Sequence, residues 1–431
     1  MGADTAAVGR AAPVTDVVRI NSIAAGGDGV GRLPDGRAVF VPRSAPGDLV
    51  QLTAVERKAR YARARVGSIV EPGPGRVAPR CAHYDRDACG GCQLQHLGPE
   101  AQRTARRTIV GDALRRLARL EVADPELEAA GDDWGYRTRL TLAVQARGRL
   151  IGLHRYDRPA DLFNLERCEI VDPALNRLWN AVSPRRELLP ADATHLVLRL
   201  ERGGALHLIV RSGGERAWTS AGELRAALRE AGVEATLWWH PEGGAPRVLA
   251  GDGSPWPATV FEQVHPAFGD RVRRFAVEQL GDVRGLKVWD LYAGIGETTS
   301  QLLAAGATVE SVELDPRAVA LAGPEVGERV RRIVGAAELI VPRLKAADLV
   351  ITNPPRTGMD KRVVEAILAA APRRVVYISC DPATLGRDIA ILCGTTSRPP
   401  AVPPFRPSAF RAFDLFPQTA HVETVAVLEA A

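Results

Sequence analysis

The C-terminal part of the chain alternates between apolar runs and amphipathic segments, and this alternation restricts the possible folds more than any other feature. From residue 266 onward it predicts helices near 267–280, 297–305, 316–322, 360–370 and 382–392, and strands at 286–291, 308–313, 347–352, 374–379 and 420–428. Strands separated by single helices form βαβ units, which pair in parallel and carry helices on both faces of the sheet. Residues 266–431 are therefore predicted to form a doubly wound α/β domain.

The rest of the chain predicts two further units, because 431 residues are too many for one compact core. Short β runs separated by Gly and Pro turns predict a small barrel of the OB type at 14–72, after a disordered Ala-rich leader at 1–13. A β-rich central domain with a cysteine cluster is predicted at 73–265, with helices near 99–119 and 222–232. The predicted fold class is multidomain α+β.

Positive charge is clustered, although the net charge is only +5. The basic residues concentrate in two segments, which contain Arg57, Lys58, Arg60, Arg63 and Arg65 in one and Arg103, Arg106, Arg107, Arg115, Arg116 and Arg119 in the other. Clustered arginine favours a phosphate-rich partner such as RNA, and the alternative is a solvated helix face. Small barrels often bind single-stranded nucleic acid on a basic face, where Tyr61 offers a stacking surface.

The lack of a membrane span and of a signal peptide, together with the cysteine count, indicates where in the cell the protein acts. The sequence has no run of about 18 apolar residues for a membrane span, and its N-terminus lacks the apolar core of a signal peptide. We expect a cytoplasmic monomer with reduced cysteines, no membrane association and no obligate protein partner. Six cysteines in such a chain favour metal binding or catalysis over disulfides.

A glycine turn at 290–296 lies between a predicted strand and a predicted helix, where a ligand can approach the backbone closely. Glu313 ends the following strand, and an acidic residue there can bind the ribose hydroxyls of a nucleoside. The turn lacks the third glycine of the dinucleotide motif, so a nucleoside cofactor such as S-adenosylmethionine fits better than NAD. The alternative is an ordinary strand-to-helix turn with an exposed Glu313.

Cys380 follows the apolar run 375–378, which places a thiol at a strand end on the cofactor side of the predicted sheet. A thiol there is interpreted as a nucleophile, and the alternative is a small buried side chain. His421 and Glu423 are two residues apart in the last predicted strand and would share one face. A carboxylate on that face can lie in the same crevice as Cys380, and the alternative, which is more common in proteins, is a paired surface glutamate.

The other cysteines form a second constellation. Cys81, Cys89 and Cys92 lie close together in the sequence, and Cys168 stands apart. Three near thiolates and a remote one can complete a four-cysteine site. Zinc and iron–sulfur clusters both accept thiolate ligands, and the three-plus-one arrangement favours a cluster. The alternative is a set of scattered buried thiols.

Together these residues resemble the RNA uracil-C5 methyltransferases that carry an iron–sulfur cluster and an N-terminal TRAM domain. The resemblance covers nearly the whole chain, from about residue 14 to 429. Its most specific pieces are five ordered segments: CGGCQLQH at 89–96, FEQV at 261–264, NPPRTG at 353–358, SCDPATLGRD at 379–388 and HVETV at 421–425. It implies a TRAM barrel, a central domain with the cysteine site and a Rossmann-like methyltransferase domain.

The resemblance also implies a role for each candidate residue. Cys380 would be the nucleophile that adds to C6 of uracil, and Glu423 the base that removes the C5 proton. S-adenosylmethionine would lie against Gln263, Tyr292, Gly294, Glu297, Glu313 and Asn353. A [4Fe-4S] cluster would be held by Cys81, Cys89, Cys92 and Cys168. Phe261 would pack against the flipped base, and Arg137 or Arg139 would contact the RNA backbone. The TRAM domain favours ribosomal RNA as substrate, with transfer RNA as the alternative.

The chain departs from the family pattern at three places. Asn353 stands where the family usually has Asp, His265 where Asn is usual, and Glu297 where a neutral amide is frequent. Two other functions are therefore considered: an RNA-binding or chaperone-like homologue without turnover, and a methyltransferase acting on exocyclic amines, which the Asn-Pro-Pro at 353–355 brings to mind. The presence of both Cys380 and Glu423 argues against the first. The second usually needs an aromatic residue after the prolines, where this chain has Arg356, and it needs no Cys380.

Overall fold

The computed structural model describes residues 16–145, 150–252, 260, 262–321, 328–396 and 403–431. Its first five strands form a closed barrel in the order β1-β2-β3-β5-β4: β1 Val17–Ile23, β2 Gly29–Arg32, β3 Ala38–Val41, β4 Leu49–Arg57 and β5 Tyr61–Glu71. Alternate side chains such as Val18, Ile20 and Val50 fill the interior. The predicted barrel is confirmed, and the predicted leader at 1–13 lies outside the described residues.

The next elements are α1 Ala82–Arg86, α2 Pro99–Arg116 and β6 Glu126–Ala129. Val110 and Leu114 of α2 are fully buried in the same core as the C-terminal domain. β6 pairs in parallel with residues 411–414 of that domain. α2 and β6 precede the predicted domain boundary at residue 265, yet both pack within the C-terminal domain. Their partners there lie about 300 residues further along the chain.

The central domain is built on a seven-stranded sheet in the order β13-β12-β11-β10-β7-β8-β9. Its strands are β7 Arg139–Gln145, β8 Leu150–His154, β9 Leu162–Asn164, β10 Ala193–Leu200, β11 Leu206–Ser212, β12 Thr236–Pro241 and β13 Arg247–Ala250. Two helices, α3 Pro173–Val182 and α4 Ala221–Glu230, bury their apolar sides in the same core as Leu142 and Leu208. The Asp172 carboxylate accepts a hydrogen bond from the Ala174 N–H at 2.7 Å and so caps the start of α3.

The C-terminal domain has an eight-stranded sheet in the order β16-β15-β14-β17-β18-β20-β19-β6. Its own elements are α5 Pro266–Glu278, β14 Lys287–Leu291, α6 Glu297–Ala304, β15 Thr308–Glu313, α7 Pro316–Leu321, β16 Val330–Val334, α8 Ala337–Ile340, β17 Leu349–Thr352, α9 Lys361–Ala370, β18 Arg374–Ser379, α10 Pro382–Leu392, β19 Phe405–Asp414 and β20 Glu423–Ala430. Strands β14 to β18 pair in parallel, and β20 runs antiparallel to β18. The predicted doubly wound domain is confirmed.

The strand order reverses at β14, which lies between β15 and β17. Ligands of open α/β sheets bind outside the carboxyl ends of the strands at such a point. Tyr292, Asn353 and Cys380 directly follow β14, β17 and β18 at that edge, and Glu313 is the last residue of β15. The antiparallel β20 begins at the same edge and brings Glu423 there.

The described part of the chain contains no helix long and apolar enough to cross a membrane.

Candidate active site

Cys380 and Glu423 lie at the same end of two neighbouring strands. β18 and β20 are antiparallel, and their pairing ends with Ser379 opposite Thr424, so Cys380 directly follows β18 and Glu423 is the first residue of β20. The two side chains are close enough for the Glu423 charge to raise the pKa of the Cys380 thiol. Glu423 is 1% exposed, and Cys380 is partly buried. The fold therefore brings the predicted nucleophile and the predicted base together.

The Glu423 carboxyl group is adapted to exchange protons near neutral pH. Burial raises its pKa to about 7, against the opposing charges of Arg273 and Arg356. Its Oε2 atom accepts no hydrogen bond from the described residues. A buried carboxyl oxygen without a partner is costly and marks a position where a ligand or water supplies the missing bond. Proton transfer is efficient when the pKa of the base lies near the operating pH.

The Cys380 sulfur is a thiol at neutral pH. Burial and then the Glu423 charge raise its pKa to about 11, while Arg356 lowers it by its charge and by a side-chain hydrogen bond. Formation of the thiolate therefore depends on the guanidinium of Arg356. This residue belongs to the NPPRTG segment, so its place in the sequence is a signal, although no role was predicted for it.

His421 is not in a strand, because β20 begins at Glu423. The prediction that the two residues share the face of a strand is therefore wrong for His421. Burial lowers the pKa of His421 to about 4, and the charges of Arg356 and Arg137 act in the same direction. Its ring is neutral at neutral pH and packs edge-on against Phe416, with the centroids 6.0 Å apart.

The glycine turn is held by hydrogen bonds to the side chains of Glu313 and Arg332. The Gly294 N–H donates to Glu313 Oε2 at 2.8 Å, and Glu313 Oε1 accepts the Asp315 N–H at 2.8 Å. Arg332 donates to the carbonyl oxygen of Gly294 at 2.9 Å and to that of Ile295 at 3.1 Å. These bonds place the predicted ribose-binding carboxylate directly beside the turn.

Three residues of the turn, Tyr292, Gly294 and Gly296, have positive φ angles. Gly296, at φ 90°, precedes α6, and a Cβ atom there would lie 1.9 Å from Arg332 Nη1. Only glycine fits this position. Tyr292 has φ 61°, a strained conformation for a residue with a large side chain. The carbonyl oxygen of Leu291 accepts the Asn353 N–H at 3.1 Å, which ties the turn to the end of β17.

Glu297, one of the departures from the family pattern, is bound by two arginines. Its carboxylate accepts bonds from Arg202 at 2.7 Å and Arg273 at 2.9 Å, while burial raises its pKa. Arg202 belongs to the central domain and also pairs with Glu262 at 2.8 Å. The carboxylate that replaces an amide is thus neutralised within the protein. Arg202 and Arg273 lie in no motif, so sequence reasoning missed them.

Gln263 precedes α5 and packs against its first turns, because a Cβ atom on Gly269 would lie 3.0 Å from the Gln263 Cβ. His265 also precedes α5 and stacks on Tyr136 with the ring centroids 5.5 Å apart. Phe261 lies outside the described residues.

The four cysteines Cys81, Cys89, Cys92 and Cys168 line one cavity of about 240 Å³. Burial raises the pKa of each thiol. Among the residues that the structure describes, no three His, Cys, Asp or Glu side chains converge closely enough to hold a single metal ion. Zinc needs its sulfur ligands about 2.3 Å from one centre, whereas the thiolates of an iron–sulfur cluster bind separate iron atoms.

Arg137 and Arg139 line the same cavity. Arg137 Nε donates to Tyr136 Oη at 3.3 Å. Burial lowers the pKa of Arg139, and the nearby charges of Arg199 and Arg211 lower it further. These arginines are therefore partly enclosed.

The two basic clusters differ in their surroundings. In the second one, Arg106 is fully buried and pairs with Asp414 at 3.1 Å, and Arg115 pairs with Asp124 at 2.9 Å. Those guanidinium groups serve packing within the protein. In the first cluster, Arg60, Arg63 and Arg65 are exposed on or beside β5 of the barrel, next to Tyr61.

We expect the simultaneous replacement of Arg60, Arg63 and Arg65 by alanine to weaken RNA binding. Each phosphate contact releases counterions, so the slope of log K against log salt should become shallower by about 0.7 to 0.9 per lost contact. Filter binding of labelled RNA between low and high salt measures this slope. Replacement of Arg225, Arg229 and Arg247, which lie in the central domain, provides a control of equal charge change. An unchanged slope would mean that the barrel arginines only solvate a strand.

Comparison with known proteins agrees with this geometry. Residues 17–66 match the TRAM domain, and residues 329–431 match the tRNA (Uracil-5-)-methyltransferase family. An uncharacterized RNA methyltransferase of Thermosynechococcus vestitus is 32% identical over 95% of this chain and 97% of its own length. The 23S rRNA (uracil(1939)-C(5))-methyltransferase RlmD of Thiobacillus denitrificans is 30% identical over 97% of this chain and 99% of its own.

A solved structure shares the fold. The tRNA (uracil-54, C5)-methyltransferase of Pyrococcus abyssi, in complex with S-adenosyl-L-homocysteine, superimposes with a TM-score of 0.69 over 96% of this chain and all of its own, at 22% identity. The C-terminal domain therefore has a methyltransferase fold, with a cysteine and a glutamate at its ligand-binding edge. The chain belongs to the family of TRAM-domain RNA uracil-C5 methyltransferases.

Proposed function

We propose that this protein transfers a methyl group from S-adenosylmethionine to C5 of a uridine in 23S ribosomal RNA through a covalent adduct with Cys380. The observation that carries the proposal is the proximity of Cys380, which follows β18, and Glu423, which begins the neighbouring strand β20, at the ligand-binding edge of the sheet. The identity of the RNA is supported by relatives named as 23S rRNA (uracil(1939)-C(5))-methyltransferases. The protein acts in the cytoplasm as a monomer.

The reaction needs a nucleophile because C5 of uracil is itself a weak one. The Cys380 thiolate, which Arg356 stabilises, adds to C6, and the C5–C6 π electrons move into an enolate. C5 then takes the methyl group that S-adenosylmethionine supplies. Glu423 removes the proton from C5, the C5–C6 double bond forms again, and the C6–S bond breaks. The cysteine returns as a thiolate, and the proton remains on Glu423.

The side chains around the glycine turn can bind a nucleoside cofactor. Glu313 ends β15 beside the backbone of Gly294, where a carboxylate can accept bonds from ribose hydroxyls. Tyr292 and Asn353 follow the two central strands and offer an aromatic ring and an amide. Gln263, which precedes α5, and Glu297, the first residue of α6, complete the proposed pocket. Asn353 can both donate and accept, unlike the usual Asp.

The RNA must enter a partly buried site, so the target uridine has to leave its stack. We assign the contact with the flipped base to Phe261, and contacts with the backbone to Arg137 or Arg139. The exposed arginines of the barrel supply affinity for the phosphates that surround the target.

We assign a [4Fe-4S] cluster to the cavity lined by Cys81, Cys89, Cys92 and Cys168. The fit is chemical: the donors are four thiols around one cavity, without convergence on a single-ion site among the described residues. The cluster would link residues 81–92 to Cys168 and has no step in methyl transfer.

Anaerobic purification should give a brown protein with about four irons per chain, because each of four thiolates binds one iron of the cluster. Iron and zinc analysis together with the visible spectrum measures this. Cys92→Ser should lose the colour, whereas Cys393→Ser, at a buried cysteine outside the cavity, should keep it. One zinc and no iron in anaerobic protein would contradict the assignment.

The proposed function is tested by mass mapping of 5-methyluridine in ribosomal and transfer RNA from cells with and without the gene. We expect one ribosomal position to lose its methyl group, and the purified protein to restore it with S-adenosylmethionine. Loss of 5-methyluridine from transfer RNA alone would show that the substrate is transfer RNA and not ribosomal RNA. A methyl group on an exocyclic amine, or no change in any RNA, would contradict the function and favour one of the alternatives.

A further inference from the structure

The loop between β19 and β20, residues 415–422, ends at the proposed base Glu423. Gln418 lies in this loop with φ 69°, a left-handed conformation that residues with a side chain rarely adopt. It is 3% exposed. A buried residue persists in such a conformation only when its surroundings determine it.

The surroundings of Gln418 are the cysteine-rich segment and α2, more than 300 residues earlier in the chain. Its carbonyl oxygen accepts the N–H groups of Gln93 at 3.2 Å and Leu94 at 3.0 Å, directly after Cys92. Its own N–H donates to Gln102 Oε1 at 3.1 Å, and its Oε1 accepts from Gln102 Nε2 at 2.9 Å. The side-chain amide of Gln102 thus binds both the backbone N–H and the side-chain oxygen of Gln418.

The neighbouring residues of the loop are held from the same side. Buried Arg106, also on α2, donates to the Thr419 carbonyl oxygen at 3.1 Å and to Gln102 Oε1 at 2.9 Å. Tyr136 Oη donates to the Pro417 carbonyl oxygen at 2.9 Å. The loop that leads into Glu423 is therefore anchored to another part of the protein at three successive residues.

Cys380 has a different support. It follows β18, whose other neighbour is the parallel strand β17, and none of the loop-anchoring bonds involves β18. A disturbance of the loop would move the start of β20 first.

We propose that Gln102, through its paired bonds with Gln418, is a positioning residue for the proton acceptor Glu423 and controls the release of the covalent intermediate. This inference rests on the proposed function. The step concerned breaks the C5–H bond, transfers the proton to the Glu423 carboxylate, restores the C5–C6 double bond and expels the Cys380 thiolate from C6. Thiolate addition and methyl transfer precede this step and do not need the base in place.

The test uses the full-length protein with two separate variants. Gln102→Ala removes one partner, and Gln418→Gly removes the other side chain while the backbone keeps its left-handed angle without strain. We expect turnover to fall by about 10- to 100-fold, the cost of a base displaced by about 1 Å. Methyl transfer in a single turnover should stay near the wild-type rate, and a C5-methylated RNA adduct should accumulate.

The readout is a denaturing gel with RNA labelled by a radioactive methyl group, together with rapid-quench single turnovers. Thr104→Ala, at an exposed position of the same helix, is the matched control and should release RNA as the wild type does. The double variant should accumulate no more adduct than Gln102→Ala alone, because that substitution already removes both bonds, whereas Gln418→Gly removes one and keeps the bond from the backbone N–H.

Three results separate the inference from the function on which it rests. If the wild type forms no 5-methyluridine, the proposed function fails before any variant is compared. If the wild type methylates RNA but neither variant traps the adduct, the positioning role is overturned. It is overturned as well if addition and release slow together, since that is the result of general destabilisation.

Discussion

Cys380→Ala should lose methyl transfer by at least about 1,000-fold while binding of S-adenosylmethionine stays nearly unchanged. A covalent nucleophile has no substitute when the carbon to be methylated is unactivated, so the loss should appear in kcat. The sulfur lies at the end of β18, whereas the proposed cofactor contacts follow β14, β15 and β17. Initial rates with labelled S-adenosylmethionine and calorimetric titration of the cofactor measure the two effects.

Cys393→Ala is the matched control for this change. Cys393 is a buried cysteine that follows α10 and belongs to the hydrophobic core, so its loss should affect stability more than rate. Cys380→Ser would keep the size of the side chain but not the nucleophile, and it should be as inactive as the alanine variant. Substantial residual turnover in both Cys380 variants would remove the sulfur from the mechanism.

Glu423→Gln should permit thiolate addition and methyl transfer but stop the release of RNA. A neutral amide cannot accept the C5 proton, and the loss of a general base costs about 100- to 10,000-fold. The variant should accumulate as a covalent adduct that already carries the methyl group. A denaturing gel with labelled RNA would show a slowly migrating band, which should be absent from Cys380→Ala/Glu423→Gln.

The same carboxyl group predicts a pH dependence. Burial raises the pKa of Glu423 to about 7, and the ionised form is the one that accepts a proton. The rate of release in the wild type should therefore increase as the pH rises through about 7, and this rise should be missing in Glu423→Gln. Normal turnover of the Gln variant without a trapped adduct would make Glu423 a structural residue. His421 would be a weak replacement, because its ring loses its proton already at about pH 4.

Most of the repeated pattern of strands and helices could be predicted closely, whereas the strand β16, the short helix α8 and the irregular elements could not. The predicted strand at 374–379 and helix at 382–392 have the bounds of β18 and α10, because an apolar run and a capping Asp381 mark them locally. β19 was not predicted, since Pro407 and the polar residues around it interrupt the alternation of a strand. In the structure Pro407 lies at an irregularity of the β19–β20 pairing, where its missing N–H is tolerated.

The candidate site shows the same division. Motif spacing indicated that Cys380, Glu423 and the glycine turn belong to the site, because each lies in or directly after a recognisable strand. Arg273 and Arg202 could not be found in this way, since their importance comes from the Glu297 carboxylate that they neutralise. The second arginine cluster was expected as a possible RNA-binding surface, yet Arg106 is buried within it.

The barrel, the doubly wound domain and the residue types at the ends of its strands follow from local periodicity and from turn residues, which act over a few positions. The proximity of Glu423 to Cys380, the burial that lets its carboxyl group titrate near neutral pH, and the bonds from Gln102 to the loop before it could be seen only in the folded protein. Pairing register, burial and hydrogen bonds between residues hundreds of positions apart depend on which surfaces come into contact, and a local sequence pattern does not contain that information.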